Sequence, residues 1–271
     1  MPEKTQWFPW NGSKRWLLPR LADTFRGWGG DGRFIDPFCG GGSVSRLIRQ
    51  LFPTTPHVLA DANPWLMSVF EWQTAGMAYA IPKNFTDVSY WRALRDADLP
   101  SLTLHAKATR FAVCLLTAWG NRWKTEADGG FTSSSTPVNA RYCEPSFLRR
   151  RLAAFFAVRW LRFGDLTISQ DWKKSVADAR PGDLVYLDPP YPESLGYGNQ
   201  WWSFSDQLDV IDWVVDHPEI AVVVSNMATL DRLYRRAGMT VELVTGPAPS
   251  RTKKQRVECL AWRFPNWVTT G

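Results

Sequence analysis

A doubly wound, mixed α/β sheet with a mainly helical insertion is the fold that this sequence of 271 residues predicts. Three observations predict it. A short strand at 33–36 runs into Gly40, Gly41 and Gly42 and then into a helical pattern through Leu51, forming a strand, turn and helix unit. The alternation of strands and helices stops at about residue 76 and resumes after 157. Three strand-like runs end in an acid, at Asp36, Asp61 and Asp188, and a mostly parallel sheet would bring those ends to one ligand-binding edge.

Each element has a local reason. Trp16, Leu17, Leu21 and Phe25 share a helical spacing and the glycine-rich stretch 27–32 ends it, so a helix is expected over 13–25. The run 58–61 is a second strand, and Pro64, whose fixed φ suits a first helical turn, starts a helix reaching about Gln73. Within the interruption, helical patterns at 101–119 and 144–156 flank a stretch rich in Gly, Ser and Thr. Strands are expected again at 161–169, 184–188 and 221–225, with helices near 207–215 and 229–237. Two last strands, 240–244 and 257–263, close the sheet around a loop at 248–255. The organisation is therefore one ligand-binding domain, 1–75 with 158–271, and an inserted domain, 76–157.

Composition narrows the function classes. Hydrophobic residues at 45% and charged residues at 21% exclude a disordered or collagenous chain. The longest charge-free apolar run, 111–120, is well short of the roughly 18 residues that span a bilayer, and the first residues lack the pattern of a secretory signal. No membrane partner and a cytoplasmic location are expected. Cys39, Cys114, Cys143 and Cys259 form no Cys-x-x-Cys pair, so neither a disulfide framework nor a metal site is expected. The formal net charge of +6 is unevenly spread: residues 101–163 hold ten Lys and Arg against Glu126, Asp128 and Glu144, or 10 − 3 = +7. A second basic cluster is Arg251, Lys253, Lys254 and Arg256. This asymmetry suits a polyanion, although a solvated helix face would read the same way. The 16 Trp suit either base stacking or a core.

The chemistry concentrates in two strings. Asp36-Pro37-Phe38-Cys39-Gly40-Gly41-Gly42-Ser43 lets backbone approach a ligand closely, or forms a plain tight turn. Asp61, about 20 residues beyond it, stands where a carboxylate would accept ribose hydroxyls, or else caps a helix. Together they suggest an adenosine-bearing cofactor. The second string is Asp188-Pro189-Pro190-Tyr191. Consecutive prolines remove donors and leave carbonyls free. An exocyclic amine can place one hydrogen on the Asp188 carboxylate and one on the Pro189 carbonyl, while Tyr191 offers a ring for a base to stack on.

These strings, with Trp10-Asn11-Gly12-Ser13-Lys14, Ala60-Asp61-Ala62-Asn63, Val224-Ser225-Asn226 and the stretch 251–258, resemble the Dam-type (D12 class) DNA adenine-N6 methyltransferases of the alpha-order group. The resemblance covers nearly the whole chain. It implies a Rossmann-like class I methyltransferase fold, S-adenosylmethionine as cofactor and double-stranded DNA as partner, the protein sitting on the nucleoid. A cognate restriction endonuclease is a further partner that it allows. The catalytic residues it implies are Asp188, Pro189, Pro190 and Tyr191. The cofactor side is Trp10, Lys14, Asp36, Phe38, Gly40, Gly42, Ser43, Asp61 and Asp188, joined by Asp171 and Trp172, where Asp171 reads equally as a helix cap. The DNA side is Trp119, Asn121, Arg122, Trp123 and Lys124, with Arg149, Arg150 and Arg151 and the cluster Arg251, Lys253 and Lys254. Ser13 stands where the family has a glycine, and 118–133 only partly resembles its recognition hairpin, so the resemblance does not carry GATC as the target. A non-catalytic DNA-binding protein, or amino methylation of cytosine N4 or of RNA, are the alternative readings.

Overall fold

Strands buried on both faces need helices on both sides, and the strand residues alternate accordingly. The computed structural model describes residues 10, 12–78, 101–117, 144–162, 164–169, 171–192, 194–195, 201–247 and 255–265. Its main sheet has seven strands in the order β3-β2-β1-β4-β7-β9-β8. They are β1 (Phe34–Asp36), β2 (His57–Asp61), β3 (Leu166–Ser169), β4 (Leu184–Leu187), β7 (Ala221–Met227), β8 (Thr240–Gly246) and β9 (Arg256–Arg263). The first five run parallel, and β9 lies antiparallel to both β7 and β8. A separate antiparallel ribbon joins β5 (Ser194–Leu195) to β6 (Trp201–Trp202). The chain leaves β1 toward β2 and β3 on one side and returns to β4 on the other. That reversal makes the crevice between β1 and β4 the place where a doubly wound sheet takes its ligand. The doubly wound mixed sheet expected from the sequence is thus the one observed.

Residues of alternate parity feed two cores. Phe34, Leu184, Tyr186, Ala221 and Val223 pack with α1 (Leu18–Phe25) and α2 (Ser43–Leu51). Ile35, Val185, Leu187, Val222 and Val224 pack with α6 (Trp172–Val176), α7 (Phe204–Asp216) and α8 (Asp231–Arg236). A third core joins α3 (Pro64–Thr74) to α4 (Leu104–Thr117) and α5 (Pro145–Ala157) through Trp65, Phe70, Trp72, Phe111, Leu115, Leu152 and Phe156. The described helices of segment 76–157 thus share their apolar interior with α3. No described helix is long and apolar enough to cross a membrane.

Two boundaries differ from expectation by as much as five residues. Helix α1 begins at Leu18 rather than 13, because residues 14–17 form a turn closed by Leu17 N–H donating to the Lys14 carbonyl at 2.8 Å, with Pro19 in the first helical turn. Strand β3 begins at Leu166 rather than 161, because Asp165 N–H closes a turn onto the Arg162 carbonyl at 3.1 Å.

Acids that precede strands are fully used as structural anchors. Asp165 accepts from His57 N–H at 3.0 Å, Arg162 N–H at 2.7 Å and the Arg49 guanidinium at 2.5 Å. Asp183, just before β4, accepts from Arg33 N–H at 2.9 Å and from its guanidinium at 2.7 Å. Removing one partner of such a buried pair strands the other charge. Asp165→Ala should therefore cost about 3–5 kcal/mol in chemical denaturation, with ligand affinity of the folded protein unchanged.

Candidate active site at the sheet edge

The acids that end strands are held differently. Asp36 is buried, and one carboxylate oxygen accepts from the Ser45 hydroxyl while the other, Oδ1, has no hydrogen-bond partner among the described residues. Burial pushes its carboxyl up to about 8; the Ser45 hydrogen bond opposes this and the negative Asp188 and Asp61 reinforce it. The glycine turn that follows is pinned to β2: Cys39 N–H donates to the Ala60 carbonyl at 2.9 Å, and Gly40 N–H to Asp61 Oδ2 at 3.0 Å. Gly40 has φ +46°, and a Cβ there would lie 2.7 Å from Trp10 Nε1, so backbone conformation and space both select glycine. The other Asp61 oxygen accepts from Asn63 N–H at 2.9 Å, and Asn63, not Asp61, caps α3. Burial pushes Asp61 up to about 6.

Across the crevice, Asp188 follows β4 directly and Oδ1 is doubly held. Lys14 Nζ lies 2.7 Å away with its side chain 5% exposed, and the Ser225 hydroxyl donates at 3.0 Å. The Tyr186 and Ser225 hydroxyls are 2.7 Å apart, extending the chain inward. Burial opposes the charge on Lys14, yet Asp188 and Glu258 outweigh it and hold the ammonium above the ordinary lysine range. Burial likewise pushes the Asp188 carboxyl upward, and the Lys14 ammonium pulls it back. Tyr191 donates its hydroxyl to Glu258 Oε1 at 2.9 Å, and Arg256 Nε lies 2.8 Å from the same oxygen.

Lys14, Asp36, Cys39, Gly40, Asp61, Tyr186, Asp188, Tyr191 and Arg256 wall one cavity of about 780 Å³, a size suited to a cofactor and part of a substrate, whereas Ser225 and Glu258 are not part of its wall. Of the expected residues, Trp10, Lys14, Asp36, Phe38, Gly40, Ser43, Asp61, Asp171, Trp172, Asp188, Pro189, Pro190 and Tyr191 line it. Gly42 does not: it is the N-cap of α2, and a Cβ there would meet Trp160 at 2.8 Å. Asp171 lines the cavity and also caps α6, accepting from Lys173 N–H at 2.9 Å. Trp172 and Trp202 flank Phe38, with ring centroids 5.9 and 5.6 Å from it. Trp202, Asp206 and Asp209 of the opposite rim were not singled out in the sequence, where the tryptophan pair at 201–202 and the capping pattern of Ser203 and Asp206 were the available signals. Arg149 and Arg150 are exposed on α5, whereas Arg151 donates to the Leu116 carbonyl at 2.6 Å and ties α5 to α4. Trp119, Asn121, Arg122, Trp123, Lys124, Arg251, Lys253 and Lys254 lie outside the described residues.

Residues 10–88 match the model of the D12 class N6 adenine-specific DNA methyltransferase family, which agrees with the resemblance read from the motifs. The chain is 25% identical over 250 residues, 83% of either chain, to the Type II methyltransferase M1.LlaDCHI of Lactococcus lactis subsp. cremoris. Among solved structures it is similar to precorrin-6y C5,15-methyltransferase from Geobacter metallireducens GS-15 at 13% identity and TM-score 0.39, covering 93% of this chain and 92% of that one. It is also similar to the N-terminal domain of human METTL16 in complex with SAH, at 10% identity and TM-score 0.38, covering 92% and 68%.

The carboxylates make the cavity pH-sensitive. Asp36 holds its proton up to about pH 8 when folded but only to its ordinary value of 3.8 when unfolded, so its contribution to stability is lost as pH rises between those values. Asp36→Asn removes that loss. The melting temperature of the variant should exceed that of the parent by a margin that grows from pH 4 and levels off above pH 8, while affinity for a cationic ligand falls. A margin independent of pH would contradict the neutral state of Asp36.

Proposed function

We infer that this chain, which carries the D12-class signature over residues 10–88, is an adenine-specific DNA methyltransferase that takes its methyl group from S-adenosylmethionine. The observation that carries the reading is Asp188: Oδ1 is saturated by Lys14 and Ser225, while Oδ2, next to two prolines, is left to the cavity. The residues fit the cofactor. Asp36 Oδ1 is buried without a hydrogen-bond partner among the described residues, and Asp36, Asp61 and Asp188 together suit the sulfonium and ammonium of the methionine group, which is cationic overall despite its own carboxylate. Asp61 keeps lone pairs for ribose hydroxyls, Gly40 and Gly41 allow close backbone approach, and Phe38, Trp172 and Trp202 offer apolar faces for the adenine. When bound, the cofactor supplies an electrophilic methyl carbon on sulfur.

The residues of the chain then position a nucleophile. Asp188 Oδ2 and the Pro189 carbonyl accept the two hydrogens of the target amine, which turns its lone pair toward the methyl carbon. Asp188 Oδ2 would take the proton that the amine gives up on being methylated. Tyr191 gives the base a face to stack on. Adenine N6 lies inside the duplex, so the nucleotide must be flipped out, and the exposed Arg149 and Arg150, with 119–124 and 251–254, are the proposed DNA contacts. The Type II designation of the Lactococcus relative supports a restriction endonuclease of the same specificity as the functional partner.

Incubation with methyl-labelled cofactor and unmethylated genomic DNA, followed by nucleoside analysis, should yield N6-methyladenine. Label in N4-methylcytosine would reassign the substrate, and no label would overturn the reading. Asp188→Ala should lower turnover by about 10³-fold, as for other positioned catalytic groups, and should also cost about 3–5 kcal/mol of stability by stranding the Lys14 ammonium. On the DNA side, Arg122→Ala should cost about 1–3 kcal/mol on the preferred site and relax discrimination. Arg150→Ala should instead weaken all duplexes alike and lower the salt slope by roughly one. Equal losses on preferred and random DNA for Arg122→Ala would show that it reads no base.

A further inference from the structure

Glu258 is a buried carboxylate of the ligand edge to which the methyl-transfer steps above give no task; it is 1% exposed. It reaches that edge because β9 runs antiparallel: its first residues, not its last, lie beside the ends of the parallel strands, with Glu258 paired to Met227 of β7 and to Val244 of β8. Its two oxygens face different partners. Oε1 accepts from the Tyr191 hydroxyl at 2.9 Å and from Arg256 Nε at 2.8 Å. Oε2 makes no hydrogen bond among the described residues and lies 3.9 Å from Lys14 Nζ, which itself sits 5.6 Å from the centre of the Tyr191 ring.

We propose that Glu258 is a positioning residue for methyl transfer, holding the Tyr191 ring at the angle from which it stacks on the target base and the Lys14 ammonium at its station against Asp188. The assignment rests on the methyl-transfer reading. A tyrosine ring anchored only at its Cβ can swing, whereas one also held at its hydroxyl has a fixed plane. Lys14 stands between two carboxylates, 2.7 Å from Asp188 and 3.9 Å from Glu258, so the second keeps the ammonium from being neutralised wholly by the first. The charge ledger of the cluster is two cations, Lys14 and Arg256, against two anions, Asp188 and Glu258. Asp188 faces Lys14, Ser225, Tyr186 and Glu258, with Asp36 across the crevice; Glu258 faces Lys14, Arg256 and Tyr191. Deleting the charge of Glu258 leaves both cations acting on Asp188 alone.

Glu258→Gln keeps size and a hydrogen-bond acceptor and removes that charge. Methylation of unmethylated genomic DNA is followed from pH 5 to 9, and cofactor affinity is measured by calorimetry. The expected result is a cofactor Kd within twofold of the parent and a kcat about tenfold lower. The acid limb of the kcat profile should move to lower pH, because the negative neighbour that raises the Asp188 carboxyl is gone. Tyr191→Phe, which keeps the ring and removes only the hydroxyl, should lower kcat with no movement of the acid limb, and the double variant should be no slower than the slower single one. Unchanged kcat in either variant, an acid limb that stays in place in Glu258→Gln, or strictly additive losses would overturn the proposal. Were Glu258→Gln not to fold, the kcat of Tyr191→Phe would decide the matter alone. Absence of methyl transfer by the parent protein would remove the reading and the proposal together, whereas the variant outcomes remove only the role of Glu258.

Discussion

A lysine ammonium taken out of water against one aspartate, Lys14 on Asp188 at 2.7 Å, is the interaction from which the ligand edge is built. An ammonium with its side chain 5% exposed survives only if paired, and losing one partner of such a pair costs about 3–5 kcal/mol. The pair therefore dictates what surrounds it. It fixes the turn ahead of α1, so that the helix starts four residues beyond Lys14. It saturates one oxygen of Asp188, a cavity-lining residue, together with Ser225 of β7, which leaves the other oxygen without a hydrogen-bond partner among the described residues. It draws in Glu258 from β9 and through it Tyr191 and Arg256. The proposed catalytic geometry and the seam between four segments of the chain are here the same set of contacts.

The sheet divides its acids by position. Those before a strand, Asp165 and Asp183, lie where strands begin and are consumed by arginine and backbone N–H groups. Those after a strand, Asp36, Asp61 and Asp188, face the cavity and keep unshared oxygens or lone pairs. A carboxylate with its bonds completed inside the protein stabilises the fold, and one without them is available to a ligand. Parallel strand direction sorts the two kinds to opposite edges.

That sorting explains what was legible beforehand. Apolar runs closed by an acid, punctuated by glycine or proline, gave β1, β2 and β4 and with them Asp36, Asp61 and Asp188, because local pattern and parallel topology agree there. Glu258 is not legible as a site residue because it opens an antiparallel strand, and its place at the edge depends on strand direction, which no local pattern encodes. Gly42 falls on the cofactor side by the family resemblance, but this third glycine of the string caps a helix over Trp160 and does not line the cavity. Arg149, Arg150 and Arg151 look alike in a row; helical rotation leaves two outside and turns the third onto the Leu116 carbonyl. The start of α1 is not legible because apolar spacing continues through residues 14–17, whose backbone forms a turn instead of helix.

The Lys14 cluster also has a consequence in time. Lys14, Asp188 and Glu258 are separated by 174 and then 70 residues, so during synthesis the lysine leaves the ribosome long before either carboxylate does. Until β4 arrives neither of the carboxylates that pair with the ammonium in the folded protein is present, and a nascent chain that collapsed around it would bury it without them. The N-terminal turn must therefore stay solvated while β1, β2 and the α3 to α5 helices assemble, and it docks only when the second half of the sheet has been laid down. The ligand edge is in this sense the last part of the molecule to become dry.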